Sequence, residues 1–112
     1  MKFQNKFRAK KTTVDGITFD SKKEADYYCE LCMRRCAGEV IDFDLQVPFE
    51  LQPSFKWQGK TIRAIKYVAD FVVQNRDGTE EVVDVKGVRT ETYKVKKKLF
   101  QYKYPNLKFK EV

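Results

Sequence analysis

The stretch from Val68 to Gly87 constrains this 112-residue chain more than any other: a hydrophobic strand carrying Asp70, a polar turn, then Val82-Val83-Asp84-Val85-Lys86-Gly87. Side chains alternate faces along a strand, so Asp84 and Lys86 project to one side while Val83 and Val85 project to the other. A carboxylate beside an ammonium, with Asp70 arriving from the neighbouring strand, suits a divalent cation. Hard oxygens hold Mg²⁺, and a lysine can orient or deprotonate a water. Asp84 and Lys86 also read as an ordinary surface ion pair, as most D-x-K triplets are. What sharpens the first reading is Asp70, because a carboxylate within Tyr67-Val68-Ala69-Asp70-Phe71-Val72-Val73 needs a partner or a metal.

Whether Asp70 and Asp84 share a face is a matter of counting. Directly opposed residues of an antiparallel pair point the same way, so Asp70 joins Asp84 only if its partner has an even number. A two-residue turn at Asp77-Gly78 makes partner numbers sum to 155 and turns the two carboxylates apart. A three-residue loop Arg76-Asp77-Gly78, with the glycine left-handed, makes them sum to 154 and sets Asp70 opposite Asp84. A single bulge shifts the sum in the same way, to 154 or 156, so the expectation is an odd loop or a bulge between Asp70 and Asp84, with the two carboxylates close enough to share one cation.

A chain of this length forms one domain, 1–112, with a single core and a basic arm over residues 1–12. Its apolar runs are too short to span a membrane, and Met1-Lys2-Phe3-Gln4-Asn5-Lys6 lacks the apolar core of a secretory signal, so a cytoplasmic location is expected. Lysine and arginine exceed acidic residues by 23 to 16, concentrated in the arm, which includes Lys10 and Lys11, and around Lys94, Lys97 and Lys98. Basic clusters flanking a carboxylate strand favour a polyanionic partner, DNA first. Histidine is absent. That removes Ser-His and Cys-His catalysis, histidine-based zinc sites and imidazole general bases. Cys29, Cys32 and Cys36 recur along one helix face without a fourth ligand and read as buried thiols.

Val14 to Phe19 reads as a short hairpin or an extended lead-in around Asp15-Gly16. Ser21-Lys22-Lys23-Glu24 is a capping-box pattern opening a helix that runs to about Ala37, with Gly38 as its left-handed stop and Ala25, Tyr28, Cys29, Cys32 and Cys36 as its apolar stripe. Glu24 therefore has two candidate roles, bonding back to the Ser21 amide or facing the sheet. Val40 to Leu51 reads as a strand kinked near Pro48 and continuing to Pro53, its prolines suggesting an edge or bent position; Trp57-Gln58-Gly59-Lys60 reads as a turn, Thr61 to Val73 as one long strand and Thr79 to Lys86 as its antiparallel return. A second helix covers Glu91 to Tyr102 with Val95, Leu99 and Tyr102 inward, and Leu107 to Val112 forms a last strand parallel to the Asp84 strand. The expected class is α/β (α+β), an αβββαβ restriction-endonuclease-like core with a mixed central sheet flanked by two helices.

That order, with Glu24 on the first helix, Asp70 on a central strand and Asp84-Val85-Lys86 on the next, resembles the PD-(D/E)xK nuclease superfamily over nearly the whole chain. Phe19-Asp20-Ser21-Lys22-Lys23-Glu24-Ala25, Tyr67-Val68-Ala69-Asp70-Phe71 and Val83-Asp84-Val85-Lys86-Gly87 are similar to a small phage and prophage family assigned to it. Segments of transposon end-cleaving subunits and archaeal-type Holliday-junction resolvases are also similar. Two departures stand out: Ala69 replaces the motif's proline, and the third acid is Asp84 rather than the commoner glutamate. The resemblance implies a Mg²⁺- or Mn²⁺-dependent endodeoxyribonuclease acting on phage DNA, branched intermediates included, in the bacterial host cytoplasm. Asp70, Asp84 and Glu24 would hold the metal and Lys86 would position the attacking water. Lys94, Lys97, Lys98, Lys10 and Lys11 are the expected phosphate contacts, and a homodimer is one assembly the reading allows. The rival readings are a nucleic-acid-binding module that kept the fold without the chemistry, and a subunit active only within a larger complex.

Overall fold

The computed structural model describes residues 10–85, 87 and 89–112. In chain order these form β1 (Thr12–Val14), β2 (Ile17–Phe19), α1 (Lys22–Cys36), β3 (Val40–Gln52), β4 (Phe55–Trp57), β5 (Lys60–Ile62), β6 (Ile65–Asn75), β7 (Glu80–Asp84), α2 (Glu91–Lys103) and β8 (Lys108–Glu111). The central sheet has the order β3-β6-β7-β8. It is antiparallel from β3 through β7, and β8 joins β7 in parallel after α2. This is the αβββαβ order in a mixed α+β fold, with two short hairpins added. None of the described helices is long and apolar enough to cross a membrane.

Local chemistry explains the elements the sequence announces. The Ser21 hydroxyl accepts the Glu24 amide at 3.0 Å and opens α1, and Gly38 follows it at φ +83°. Asp15 and Gly16, both left-handed, close the β1–β2 hairpin. The first residues of the expected arm are outside the described set, and Thr12, at its end, belongs to β1. The β6–β7 loop is the three-residue Arg76-Asp77-Gly78. Asn75 and Thr79 close it through a 2.8 Å backbone bond, and Gly78 lies at φ +90°. Phe71 pairs with Val83 and Val72 with Val82, so partner numbers sum to 154 as the odd loop requires. A Cβ at Gly78 would meet nothing within 4 Å. Gly78→Ala is thus expected to act through backbone strain alone, at about 1–2 kcal/mol, seen as a melting point lowered by about 5 °C in a circular-dichroism melt.

Two apolar clusters hold the helices to opposite sides. Ala25, Tyr27, Tyr28 and Leu31 of α1 pack with Phe43, Phe71, Val73 and Val83. Phe100 of α2 packs with Tyr67, Ala69, Val72 and Val82, and Phe109 and Phe49 join them. Three expectations are corrected here. Thr61 to Val73 is not one strand: Lys60–Ile62 folds back on Phe55–Trp57 through Gln58-Gly59, and the sheet strand starts afresh at Ile65. The inward side of α2 is Phe100 with half-buried Tyr93, while Val95, Leu99 and Tyr102 are 55%, 40% and 87% exposed. Phe100 sets that rotation, because it meets the rings of Phe49, Tyr67, Tyr104 and Phe109 at centroid distances of 5.1 to 5.5 Å. Such a set of aromatic contacts outweighs an aliphatic stripe. The thiols are also less buried than their spacing suggests: Tyr27 and Leu31 take the core-facing side of α1, leaving Cys29 and Cys32 half-buried and Cys36, at the helix end, exposed.

The clusters reveal an irregularity that alternation alone does not foresee. On β6, Phe71 and Val73 pack on the α1 side, whereas Tyr67 and Ala69, also odd-numbered, pack on the α2 side. On β3 the same reversal separates Phe43 and Leu45 from Val47 and Phe49. It falls at Asp70 and at the residue facing it, Gln46, whose backbone is left-handed at φ +53°. Pro48, by contrast, continues the ladder opposite Val68, as the edge position of β3 permits.

Candidate active site

At the reversal point Gln46 links Glu24 to Asp70, and the Asp84 charge acts on Asp70 from the next strand. Leu45 pairs with Phe71 and Val47 with Ala69, so Gln46 faces Asp70 on one flank, and the 154 register carries Asp84 opposite Asp70 on the other. Asp70 Oδ2 accepts the Val85 amide at 2.8 Å. Asp84, 8% exposed, accepts the Tyr67 hydroxyl at 2.8 Å. Glu24, 6% exposed, arrives from the first turn of α1. Its Oε1 accepts an amide hydrogen bond at 3.2 Å, from Asp20 rather than from Ser21, so the cap is drawn one residue outward. Its Oε2 is left to the sheet and accepts the Gln46 amide at 3.3 Å; the same Gln46 nitrogen lies 3.5 Å from Asp70 Oδ1. Glu24 thus bonds the Asp20 amide, in place of the expected Ser21 amide, with one oxygen and turns the other toward the sheet.

The electrostatics record like charges held together. Burial pushes the Glu24 carboxyl up to about 7, and contact with Asp70 pushes it the same way. Asp70 is also raised, first by burial and further by the Asp84 charge, against the lowering effect of the Val85 amide. Among the described residues no ion pair joins Glu24 or Asp70 to a lysine or arginine; amide donors compensate them. An all-oxygen set of carboxylates that repel one another fits a hard divalent cation in its chemistry. It is not a closed coordination shell, since among the described residues no three acidic, cysteine or histidine side chains converge as a metal group. Lys86 is outside the described residues.

Glu24, Leu45 and Gln46 line a cavity of about 260 Å³ with Ile17, Phe19 and Asp20 of the hairpin side. A larger concavity of about 530 Å³ lies elsewhere, between Ala64–Lys66 and the Val95-Leu99 side of α2, but it is mostly apolar and brings no acidic cluster together. The basic residues divide between two places. Lys11 lies 3.9 Å from Asp20, and Lys10 beside it is exposed. On the opposite flank Glu111 stands against Asp84 across β7 and β8. Glu111 accepts the Tyr93 hydroxyl and pairs with Lys97 at 3.0 Å and Arg89 at 3.3 Å. The Tyr93 bond, helped by Lys97 and Arg89, holds the Glu111 carboxyl down at about 2. Lys94 pairs with Glu91, and Lys94, Lys97 and Lys98 line a cavity of about 400 Å³ with Arg89 and Glu111. Lys97 is therefore joined through Glu111 to the strand that pairs with Asp84. Gln46 and Tyr67 escaped the sequence reading. Tyr67 lies in the same strand as Asp70, three residues before it, but nothing local marks Gln46.

A family model described as Protein of unknown function (DUF1064) matches residues 4–112. No curated protein and no solved structure matches the chain.

Proposed function

We propose that this chain, which belongs to the DUF1064 family, is a metal-dependent DNA endonuclease of the PD-(D/E)xK superfamily. The observation that carries the reading is the odd β6–β7 loop, whose 154 register sets Asp70 opposite Asp84 beside buried Glu24. Asp70, Asp84 and Glu24 are the residues that would hold Mg²⁺ or Mn²⁺. When bound, such an ion supplies Lewis-acid activation of water and neutralises charge at the scissile phosphate. The chain's own residues do the rest. Asp70 is braced by the Val85 amide and Asp84 by the Tyr67 hydroxyl, which fixes the two carboxylates from adjoining strands. Lys86 is assigned the orientation of the attacking water, and Lys94, Lys97 and Lys98 the phosphate backbone, with Lys10 and Lys11 reaching it from the hairpin. The setting is a cytoplasm, on phage DNA and its branched intermediates.

The test is cleavage of linear, flapped and four-way DNA with Mg²⁺ or Mn²⁺. Metal-dependent products absent with a chelator support the reading, and binding without cleavage under every condition moves the chain to a non-catalytic DNA-binding module. Binding itself is expected to depend steeply on salt and little on sequence. If all five named lysines contact phosphates, log K should fall against log salt with a slope of about −4.5; a slope near zero in a fluorescence-anisotropy titration would contradict it. The exposed Val95, Leu99 and Tyr102 stripe favours a version in which the nuclease works beside a second chain, a homodimer included. Light scattering on the purified protein reads that out.

A further inference from the structure

We propose that Gln46 is a positioning residue of the carboxylate site, its side-chain amide aiming Glu24 and Asp70 at a common divalent cation and the left-handed turn of β3 serving to deliver that amide. The inference rests on the metal-site reading above. Three separate features meet at this residue. Its backbone lies at φ +53° in the middle of a 13-residue strand, a conformation that non-glycine residues seldom adopt and keep where the surroundings impose it. Its amide nitrogen lies 3.3 Å from Glu24 Oε2 and 3.5 Å from Asp70 Oδ1, so one NH₂ group spans two carboxylates from different elements. Only the nitrogen end of the amide can donate to both. Finally, Gln46 and Asp70 face each other where β3 and β6 exchange sides, the Phe43 and Phe71 ends facing α1 and the Val47 and Ala69 ends facing α2.

A strand of ordinary alternation would place a side chain at this position on one cluster or the other. The left-handed residue instead leaves Gln46 at the mouth of the cavity it lines with Glu24. Glu24 has one oxygen bonded to the Asp20 amide and the other bonded to Gln46, so its carboxylate is oriented by contacts from both sides. Hydrogen-bonded partners of this kind set the direction of a ligand oxygen, and removing them typically costs about 10–100-fold in metal affinity.

The experiment titrates the whole chain with Mn²⁺ by calorimetry and follows folding by circular dichroism, for wild type, Gln46→Ala, Gln46→Gly and Asp84→Asn. Gln46→Ala is expected to bind Mn²⁺ about 10–100-fold more weakly with an unchanged spectrum. Gln46→Gly, free of the left-handed penalty, should melt about 4 °C above Gln46→Ala and bind Mn²⁺ just as weakly. Wild-type affinity in the two Gln46 variants would overturn the positioning role. Gln46→Gly melting at or below Gln46→Ala would overturn the role given to the strained backbone. If Gln46→Ala fails to fold, the Gln46→Gly titration decides alone. A wild-type protein that binds no Mn²⁺ removes the metal site and this inference with it. Wild-type binding lost in Asp84→Asn but kept in both Gln46 variants leaves the metal site standing and refutes only the inference.

Discussion

Asp84→Asn is expected to lower metal-dependent DNA cleavage by at least about 100-fold, more than the loss of an outer-shell partner commonly brings, while leaving the fold and DNA binding intact. Asparagine keeps the shape of the side chain and an oxygen that accepts the Tyr67 hydroxyl, now at 2.8 Å from Asp84, so the buried bond survives. What is lost is the negative charge. That charge raises Asp70 and repels an approaching phosphate, so its removal should leave DNA affinity no weaker. Gel cleavage, anisotropy and a thermal melt on one preparation read all three. Retained cleavage would remove Asp84 from the site, and simultaneous loss of cleavage, binding and fold would make its role structural.

The second large effect is on pH. The Glu24 carboxyl moves from an ordinary 4.5 to about 7, chiefly through burial. In the metal-free protein the folded chain therefore keeps a proton that the unfolded chain releases between those values, so stability falls as pH rises from 4.5 to about 7. A cation competes for the same oxygens. Below pH 7 it must displace the proton, and apparent Mn²⁺ affinity should drop by up to about tenfold per pH unit, levelling off above 7. Glu24→Gln keeps an acceptor for the Asp20 amide, now at 3.2 Å from Glu24, and should fold. It should also flatten the pH dependence of the metal-free melt and weaken Mn²⁺ binding. Melts at pH 5 and 7.5 with and without Mn²⁺ check the sign: a metal-free melting point that rises with pH across this window would contradict the assignment.

Much of the site was legible because it is local. Loop length and a left-handed glycine at Gly78 decide the β6–β7 register, and register decides that Asp70 and Asp84 oppose each other. Ser21 and Glu24 mark the start of α1 within four residues, and Asp15-Gly16 marks its hairpin. The errors came from choices made between distant elements. The rotation of α2 follows from Phe100 joining rings contributed by β3, β6 and β8, which no period within the helix reports. The β4–β5 excursion turns on Gln58-Gly59, which the sequence marks only as a turn before a strand, whereas Lys60–Ile62 pairs backward with Phe55–Trp57. Gln46 has no sequence signature at all, since its importance lies in a φ value and in carboxylates 22 and 24 residues away.

The central claim is that Asp70, Asp84 and Glu24 form one divalent-cation site. Mn²⁺ titration of metal-free protein, followed by the electron-paramagnetic-resonance signal of the free ion, tests it most directly in wild type beside Asp70→Asn. Asparagine at this position keeps an acceptor for the Val85 amide and removes the charge shared with Glu24 and Asp84. Saturable binding in the wild type, weakened at least about 100-fold in Asp70→Asn, is the predicted result. Equal binding in both proteins, or no saturable binding in the wild type, would contradict it.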